Sequence, residues 1–384
     1  MIGISGIRWQ ATGTDLDNLN GLIIIFEADW GVMEHKRLDR LSSNEVAVTG
    51  LKLLGCVMKD ADIGQLTENC GESDLFRLLQ LSEVNKLSLL VCEKLCCSDV
   101  VLPESIRAFC SVQLKRRAAY EEVSQQLLEL ATKAHIDLLF IKTLRPYPYV
   151  GSDIDVILLS DGELSGFVEI LDAYGYRVLE TNKHEITLET KLNGEPCLVD
   201  VHNDISAAGL VYFDKRLLWE NKVKVDMRGH NAYIPSPEAE LVLLAAHTVY
   251  KELSVTLADF LHAVHLVKRV DWAKVSALVR GQDLPLAFSA FAHAANAIND
   301  LLYDTPLKPS PLYSGVLSSG ESRIGALTNR DFLTKLAVPY YYSSMVVAVA
   351  YLDKFRHNPR ELFNAKVSRH ALTVFSRYLH GNSG

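Results

Sequence analysis

The stretch Gly151-Ser-Asp-Ile-Asp-Val-Ile-Leu-Leu159 sets two carboxylates at the head of an apolar run. The run after Asp155 is typical of a buried β-strand. Strand side chains alternate between faces, so Asp153 and Asp155 point the same way, about 7 Å apart. Buried carboxylates this close cost free energy unless a cation joins them. The pair could also lie at an ordinary exposed strand start, so the hypothesis of a metal site requires a further ligand.

A third carboxylate, Asp200, lies in a second apolar run, Cys197-Leu-Val-Asp-Val-His202. Residues 186–192 and 195–202 flank Asn193-Gly194, a strong signal for a two-residue hairpin turn, and the hairpin places Asp200 and His202 on one face. Three carboxylates on one side of a sheet would suit Mg²⁺, which prefers oxygen ligands and often also holds substrate phosphates. The sequence thus predicts a metal site formed by Asp153, Asp155 and Asp200.

The hydrophobic pattern divides the chain into four regions. Residues 1–45 form an N-terminal extension of uncertain structure, and residues 46–135 have helical periodicity, interrupted at Pro103. Residues 136–235 mix predicted strands with a helix that ends at Gly175. A capping serine and a first-turn proline at Ser236-Pro237 begin a helical region that runs to residue 384. The predicted class is α+β, a small mixed sheet flanked by N-terminal and C-terminal helices.

Composition narrows the function classes. The net charge of −8 provides no global basic field for gripping a nucleic-acid backbone. The chain has seven cysteines in no regular framework and no secretory signal pattern at its start. We therefore expect the protein to reside in the reducing cytoplasm. The uncharged run 336–352 contains Pro339 and four tyrosines, so we expect a buried helix after the proline rather than a membrane span.

Four pieces of the chain occur in an order that resembles a known family: Phe140-Ile-Lys-Thr143, Ser152-Asp-Ile-Asp-Val156, Leu198-Val-Asp-Val-His202, and Pro235-Ser-Pro-Glu238 followed by His247. The set is similar to the polymerase-β-like nucleotidyltransferase superfamily, and more closely to its uncharacterised nucleotidyltransferase branch. The resemblance covers roughly residues 75–290. It implies that residues 136–235 are a nucleotidyltransferase catalytic core.

The resemblance also implies a reaction. An NTP would donate its nucleotide to an acceptor hydroxyl, with release of pyrophosphate and two Mg²⁺ ions bound. Asp155 would bridge both ions, Asp153 would hold the nucleotide-side ion, and Asp200 would hold the acceptor-side ion and assist deprotonation. Lys142, Gly151 and Ser152 would bind the triphosphate, and His202 would orient Asp200 from the second layer. Replacing Asp155 with alanine is expected to abolish metal and nucleotide binding with little loss of fold.

The sequence departs from the superfamily at one element. Many members have a Gly-Ser pair that opens a helix well before the aspartates, whereas this chain has Lys142-Thr143 there and its Gly151-Ser152 directly abuts Asp153. Arg145 would compensate for the altered triphosphate cradle. Three hypotheses stay open: an active enzyme whose acceptor is a small molecule, a protein or an RNA end; a degenerate nucleotide-binding or scaffold protein; and a toxin-like enzyme acting on tRNA, against which the acidic net charge argues mildly.

Overall fold

Within the part of the chain that the structure describes, three helices precede the first strand, all in the predicted helical region. The computed structural model describes residues 71–98, 100–207, 209–227, 229–302, 339–342 and 344–357, so the predicted N-terminal extension and residues 46–70 lie outside the described residues. The helices are α1 (Glu72–Val84), α2 (Ser88–Cys96) and α3 (Glu104–Lys133). Pro103 caps α3, where its missing N–H removes no helical hydrogen bond. All described residues belong to one compact unit, residues 47–384.

A mixed sheet of seven strands forms the middle of the fold. In chain order the elements are β1 (Leu138–Phe140), β2 (Asp153–Leu158), α4 (Asp161–Ala173), β3 (Arg177–Thr181), β4 (Glu185–Leu192), β5 (Glu195–His202), β6 (Ile205–Ala207), β7 (Leu210–Phe213), α5 (Lys215–Glu220), β8 (Lys222–Met227) and β9 (His230–Pro235). The strand order is β3-β4-β5-β2-β1-β9-β8, and β6 and β7 pair separately. Strand β2 is parallel to β5, and β1 is parallel to β9; the other pairs are antiparallel. The α+β class is therefore confirmed.

The strands from residue 205 to residue 235 were not identified individually from the sequence. Two of them, β8 and β9, extend the large sheet beyond β1. Strand β8 reads Lys-Val-Lys-Val-Asp-Met, an alternation that does indicate a half-exposed strand.

The two faces of β2 pack against different layers, which decides where its aspartates point. Ile154 and Val156 join a core cluster with residues of α3 and α4, including Leu127 and Phe167. Ile157 joins the other cluster, which contains residues of the C-terminal helices. Because strand side chains alternate, Asp155 shares the face of Ile157 and points toward the C-terminal helices.

The hairpin between β4 and β5 forms as predicted. Asn193 and Gly194 have φ angles of 52° and 87°, the left-handed values that a type I′ turn requires at both central positions. Leu192 then pairs with Glu195, and the pairing continues without interruption to Glu185 and His202. The turn therefore determines which β4 residue lies beside each residue of β5.

The C-terminal part, as far as residues 236–302, 339–342 and 344–357 describe it, is mainly helical, with two short interruptions. Its elements are α6 (Pro237–His247), a π-helical turn (Thr248–Glu252), β10 (Ser254–Val255), α7 (Leu257–Val267), α8 (Trp272–Gly281), α9 (Pro285–Leu302), β11 (Tyr340–Tyr341) and α10 (Ser344–His357). Ser236 caps α6, its hydroxyl accepting from the backbone N–H of Ala239, as the sequence predicts. The strand pair β10–β11 corrects the expectation of an unbroken helical region.

Within the described residues of the apolar run near the C-terminus, 339–342 and 344–352, only the later part is helical. Helix α10 begins at Ser344, and residues 336–338 lie outside the described residues. Its Val347 and Tyr351 are buried in the core, as expected for an internal helix. Among the described helices, none combines the length and hydropathy that crossing a bilayer would require.

Candidate active site

Two predicted site carboxylates lie side by side on adjacent parallel strands. Asp155 of β2 is in register with Asp200 of β5. The two residues are 4% and 7% exposed, respectively. Ligand atoms of Asp155, Asp200 and His202 all lie within 4.8 Å of one another, close enough to share a metal ion.

Asp155 is neutralised by neighbouring groups. Lys142 donates from Nζ to Asp155 Oδ1 over 2.8 Å, and His202 donates from Nε2 to the same oxygen over 2.6 Å. Burial alone would raise the pKa of Asp155, but the Lys142 ammonium and the His202 hydrogen bond outweigh it and hold the pKa well below its ordinary value. The carboxylate is therefore ionised, and it can act as an anionic ligand across the physiological pH range.

His202 contacts a different carboxylate from the one expected. The resemblance implied that His202 orients Asp200, whereas its Nε2 hydrogen bond goes to Asp155. Its Nδ1 lies 3.3 Å from Glu185 Oε2. The orienting hydrogen bond on Asp200 comes instead from Thr187 Oγ1, over 2.7 Å. His202 is thus placed as a positioning group for Asp155, or as a ligand in its own right.

Asp153 stands at the entrance of the site. It is half-buried at the first position of β2, and Ser152 Oγ donates to its Oδ1 over 3.1 Å. Burial, then the charge of Asp155, raises its pKa to about 6. Among the described residues, Asp153 does not belong to the tight cluster of possible ligand atoms. A cation between the strands would favour the charged form of this carboxylate.

Gly151 leaves room for a close approach of the backbone of Asp153 and the side chain of Tyr120. A Cβ at this position would meet the carbonyl oxygen of Asp153 at 2.9 Å and the hydroxyl of Tyr120 at 3.4 Å. The Tyr120 hydroxyl itself donates to that carbonyl over 3.1 Å. Helix α3 thereby anchors the start of β2, and with it the position of Asp153.

The Lys142-Thr143 element has an unusual backbone. Lys142 has φ of 58°, a left-handed value that is uncommon for residues other than glycine, asparagine and aspartate. The buried hydroxyl of Thr143 donates to the carbonyl oxygen of Ile141 over 3.0 Å, which holds the chain at the end of β1. This conformation directs the Lys142 ammonium onto Asp155.

The residues present suit a divalent cation. Two buried, adjacent carboxylates supply the oxygen donors that Mg²⁺ prefers, and an imidazole nitrogen lies within the same cluster. Asp153 adds a third carboxylate on the same face of β2. Burial, then the charge of Asp155, raises the pKa of this third carboxylate, and a bound cation would oppose that rise.

Comparison with known proteins now identifies the family. The family model described as uncharacterised nucleotidyltransferase matches residues 71–299, more than half of the chain. The chain belongs to the uncharacterised nucleotidyltransferase family. The resemblance inferred from the four sequence motifs is therefore confirmed.

One solved structure of a nucleotidyltransferase is similar to part of this chain. The crystal structure of ANT(2″)-Ia in complex with adenylyl-2″-tobramycin is similar over 42% of this chain and 95% of its own, with 14% sequence identity and a TM-score of 0.33. No curated protein matches the chain.

Arg145 is placed elsewhere in this nucleotidyltransferase than the sequence led us to expect. Its guanidinium donates to Asp259 Oδ1 over 3.1 Å and to the Tyr147 hydroxyl over 2.9 Å, and it lies 4.0 Å from the centre of the Tyr149 ring. The Arg145 side chain is 4% exposed. The expected role in the triphosphate cradle is thus corrected: Arg145 ties the loop after β1 to helix α7.

Sequence reasoning missed the second layer of the nucleotidyltransferase site. Glu185 lies beside His202, and Lys251 Nζ lies 3.8 Å from Glu185 Oε2. Thr187, which donates to Asp200, had a usable signal in the sequence. Counting six residues outward from the turn on each arm of the predicted hairpin pairs Thr187 with Asp200, as the structure has it.

Proposed function

We propose that this nucleotidyltransferase moves a nucleotide from an NTP to an acceptor hydroxyl and releases pyrophosphate, with Mg²⁺ as its cofactor. The observation that carries the proposal is the in-register pairing of Asp155 with Asp200, with Asp153 at the head of the same strand. Asp153, Asp155 and Asp200 would hold the ions, two when NTP is bound, which neutralise the triphosphate and lower the pKa of the acceptor hydroxyl.

Each residue of the site has a role that its surroundings support. The ionised Asp155 provides the central anionic ligand, and His202 orients it. Asp200, held by Thr187, would accept the proton of the acceptor hydroxyl. Exposed Ser152 and the backbone N–H of Gly151 would donate to phosphate oxygens at the entrance. Lys142 would neutralise charge on the triphosphate.

The proposed partners are an NTP and an acceptor that is a small molecule, a protein or an RNA end. The carboxylates account for the donor half of the reaction, because they would hold the metal ions that bind the triphosphate, and every NTP carries a triphosphate. The net charge of −8 favours a compact acceptor over a long polyanion.

The test is Mg²⁺-dependent release of pyrophosphate from NTPs during an acceptor screen. Asp200→Asn keeps the volume and an oxygen that accepts from Thr187, but it removes the anionic ligand and base. We expect it to lose at least about 100-fold in rate, as for a general base. Asp204→Asn is the matched control, because Asp204 lies just beyond the end of β5 and pairs with His184 rather than with a residue of the site. Equal rates for wild type and Asp200→Asn would contradict the proposal.

A second candidate is nucleotide binding without turnover. The observation that favours it is the ion pair between Lys142 and Asp155, together with the missing Gly-Ser pair at 142–143. Binding of NTP with Mg²⁺ but no pyrophosphate from any acceptor would select this candidate. Label transferred from an NTP to tRNA alone would instead select the toxin-like activity.

A further inference from the structure

The ammonium of Lys142 lies where positive charge from a divalent ion would be needed. Its side chain is 14% exposed and that of Asp155 is 6% exposed, so the pair is screened little by water. Asp155 Oδ1 accepts both from Lys142 and from His202. A metal ion that used this oxygen would have to replace one of the two donors.

We infer that Lys142 acts as a built-in counter-ion that keeps divalent cations off Asp155 until the triphosphate of an NTP draws the ammonium away. The inference rests on the proposed function and adds regulation of the same site. Metal binding is then coupled to nucleotide binding through a single side chain.

The exchange keeps every charge paired at each stage. Without nucleotide, the Lys142 ammonium compensates the buried Asp155 carboxylate, and a second cation there would repel the ammonium. With nucleotide, phosphate oxygens offer the ammonium a new anionic partner, and Asp155 becomes free to bind the ion. Moving the ammonium without a phosphate would leave a buried ammonium unpaired and the Asp155 carboxylate with only the hydrogen bond from His202, which is strongly unfavourable.

The local backbone conformation holds Lys142 in contact with Asp155. Lys142 follows β1 in a left-handed conformation that lysine rarely adopts. The Thr143 hydroxyl lies within hydrogen-bond distance of two backbone carbonyls, that of Ile141 beside the end of β1 and that of Asp155 in β2. A small cavity lined by Lys142, His202, Tyr212 and Lys251 borders the ion pair. The ammonium is thus not enclosed by apolar packing on every side.

The experiment measures Mn²⁺ binding to the full chain by electron paramagnetic resonance, with and without a non-hydrolysable NTP. Lys142→Met keeps most of the side-chain length but removes the charge. Without nucleotide, we expect it to bind Mn²⁺ about tenfold or more tightly than wild type, within the usual range of coupling between sites. Wild type should gain a similar factor when nucleotide is added, and Lys142→Met should gain much less.

Lys86→Met is the matched control. Lys86 is also a lysine in an ion pair, but its ammonium lies 3.7 Å from Glu252 rather than beside a carboxylate of the site. It should change Mn²⁺ affinity much less than Lys142→Met does. Lys142→Gln, which keeps a neutral donor, serves as a second variant if the methionine variant does not fold.

Two results would overturn the inference: Mn²⁺ affinity in Lys142→Met or Lys142→Gln no tighter than in wild type, or a wild-type affinity that nucleotide does not raise. If the Lys142 variants bind Mn²⁺ no more tightly than wild type, but wild type still binds Mn²⁺ more tightly with nucleotide, the proposed function stands and only the inference about Lys142 fails. Absence of Mn²⁺ binding to wild type in the presence of NTP would instead refute both.

Discussion

At the scale of single residues, the three carboxylates of the site differ in how their charges are compensated. Asp155 has an ammonium and an imidazole on one oxygen, Asp200 has a hydroxyl donor, and Asp153 has the exposed Ser152. The structure therefore revises the expected effect of Asp155→Ala. Its removal leaves the buried Lys142 without its anion, so a loss of stability should accompany the loss of binding.

Thr187 provides a prediction about positioning. Thr187→Val removes the hydroxyl that donates to Asp200 while keeping the shape of the side chain. Loss of such a supporting hydrogen bond typically lowers metal affinity or activity by about 10- to 100-fold, and we expect a loss in that range for nucleotide-dependent Mn²⁺ affinity. Thr187→Ser, which keeps the hydroxyl, should restore most of the affinity. An affinity in the valine variant equal to that of wild type would show that Asp200 needs no such support.

At the scale of elements, the loop between β1 and β2 is held in place by contacts with α7. The Tyr147 hydroxyl donates to the carbonyl oxygen of Ala258 over 2.6 Å, and Arg145 forms its ion pair with Asp259 one residue further on. Asp259 also caps α7 through Thr256. Because Lys142 and Gly151 stand at the two ends of this loop, the clamp helps to position both sides of the site.

Arg145→Met should destabilise the protein strongly. It keeps an apolar stem but leaves the buried Asp259 carboxylate without its cation, for which about 3–5 kcal/mol of unfolding free energy is typical. Urea denaturation followed by circular dichroism measures the change. Arg177→Met is the control, since Arg177 pairs with Glu189 with 71% of its side chain exposed, and it should leave the denaturation midpoint nearly unchanged. A similarly small effect for Arg145→Met would mean that the clamp does not stabilise the fold.

At the scale of the whole molecule, a polar network around His247 connects the β6–β7 pair to the helical layers. His247, at the end of α6, accepts from the Tyr212 hydroxyl of β7 at Nδ1 over 3.0 Å and donates from Nε2 to Glu252 over 3.1 Å. Lys86, from the turn after α1, lies 3.7 Å from Glu252. The neutral imidazole satisfies both hydrogen bonds at once.

This network predicts a pH dependence of stability. Burial, then the charge of Lys142, lowers the pKa of His247 from 6.5 to about 4. The unfolded chain therefore takes up a proton before the folded protein does, and stability present above pH 6.5 is lost as the pH falls toward 4. The charged or titratable groups facing the ring are Tyr212, Lys142, Lys251 and Glu252.

The expected size of this effect is about 2 kcal/mol between pH 7 and pH 5. His247→Gln keeps a donor and an acceptor but does not titrate. Between pH 7 and pH 5, its unfolding free energy should therefore fall by about 2 kcal/mol less than the unfolding free energy of wild type. Urea unfolding at both pH values provides the comparison. Parallel losses in the two proteins would show that His247 does not remain neutral in the folded state.

Much of the fold could be predicted because its signals are short-range. The Asn193-Gly194 turn, the serine cap of α6, and the buried face of α3 formed by Val123, Leu127 and Leu130 all follow from neighbouring residues. The place of β8 and β9 in the large sheet could not be recognised in the same way. The two strands pair with each other as a hairpin, with Gly229 in a left-handed conformation at the turn. However, β9 joins the sheet by pairing in parallel with β1, which is remote in sequence, and no local turn announces that pairing.

What the sequence determined by itself is that carboxylates at 153, 155 and 200 and an imidazole at 202 occupy defined faces of two apolar strands, because alternation and the hairpin turn act over a few residues. Only the tertiary structure decided that Asp155 lies beside Asp200, that Lys142 compensates Asp155, and that Arg145 belongs to Asp259. Those partners are 45, 13 and 114 residues apart. A buried charge takes the partner that packing brings within reach, and packing between remote segments is not written in any local pattern.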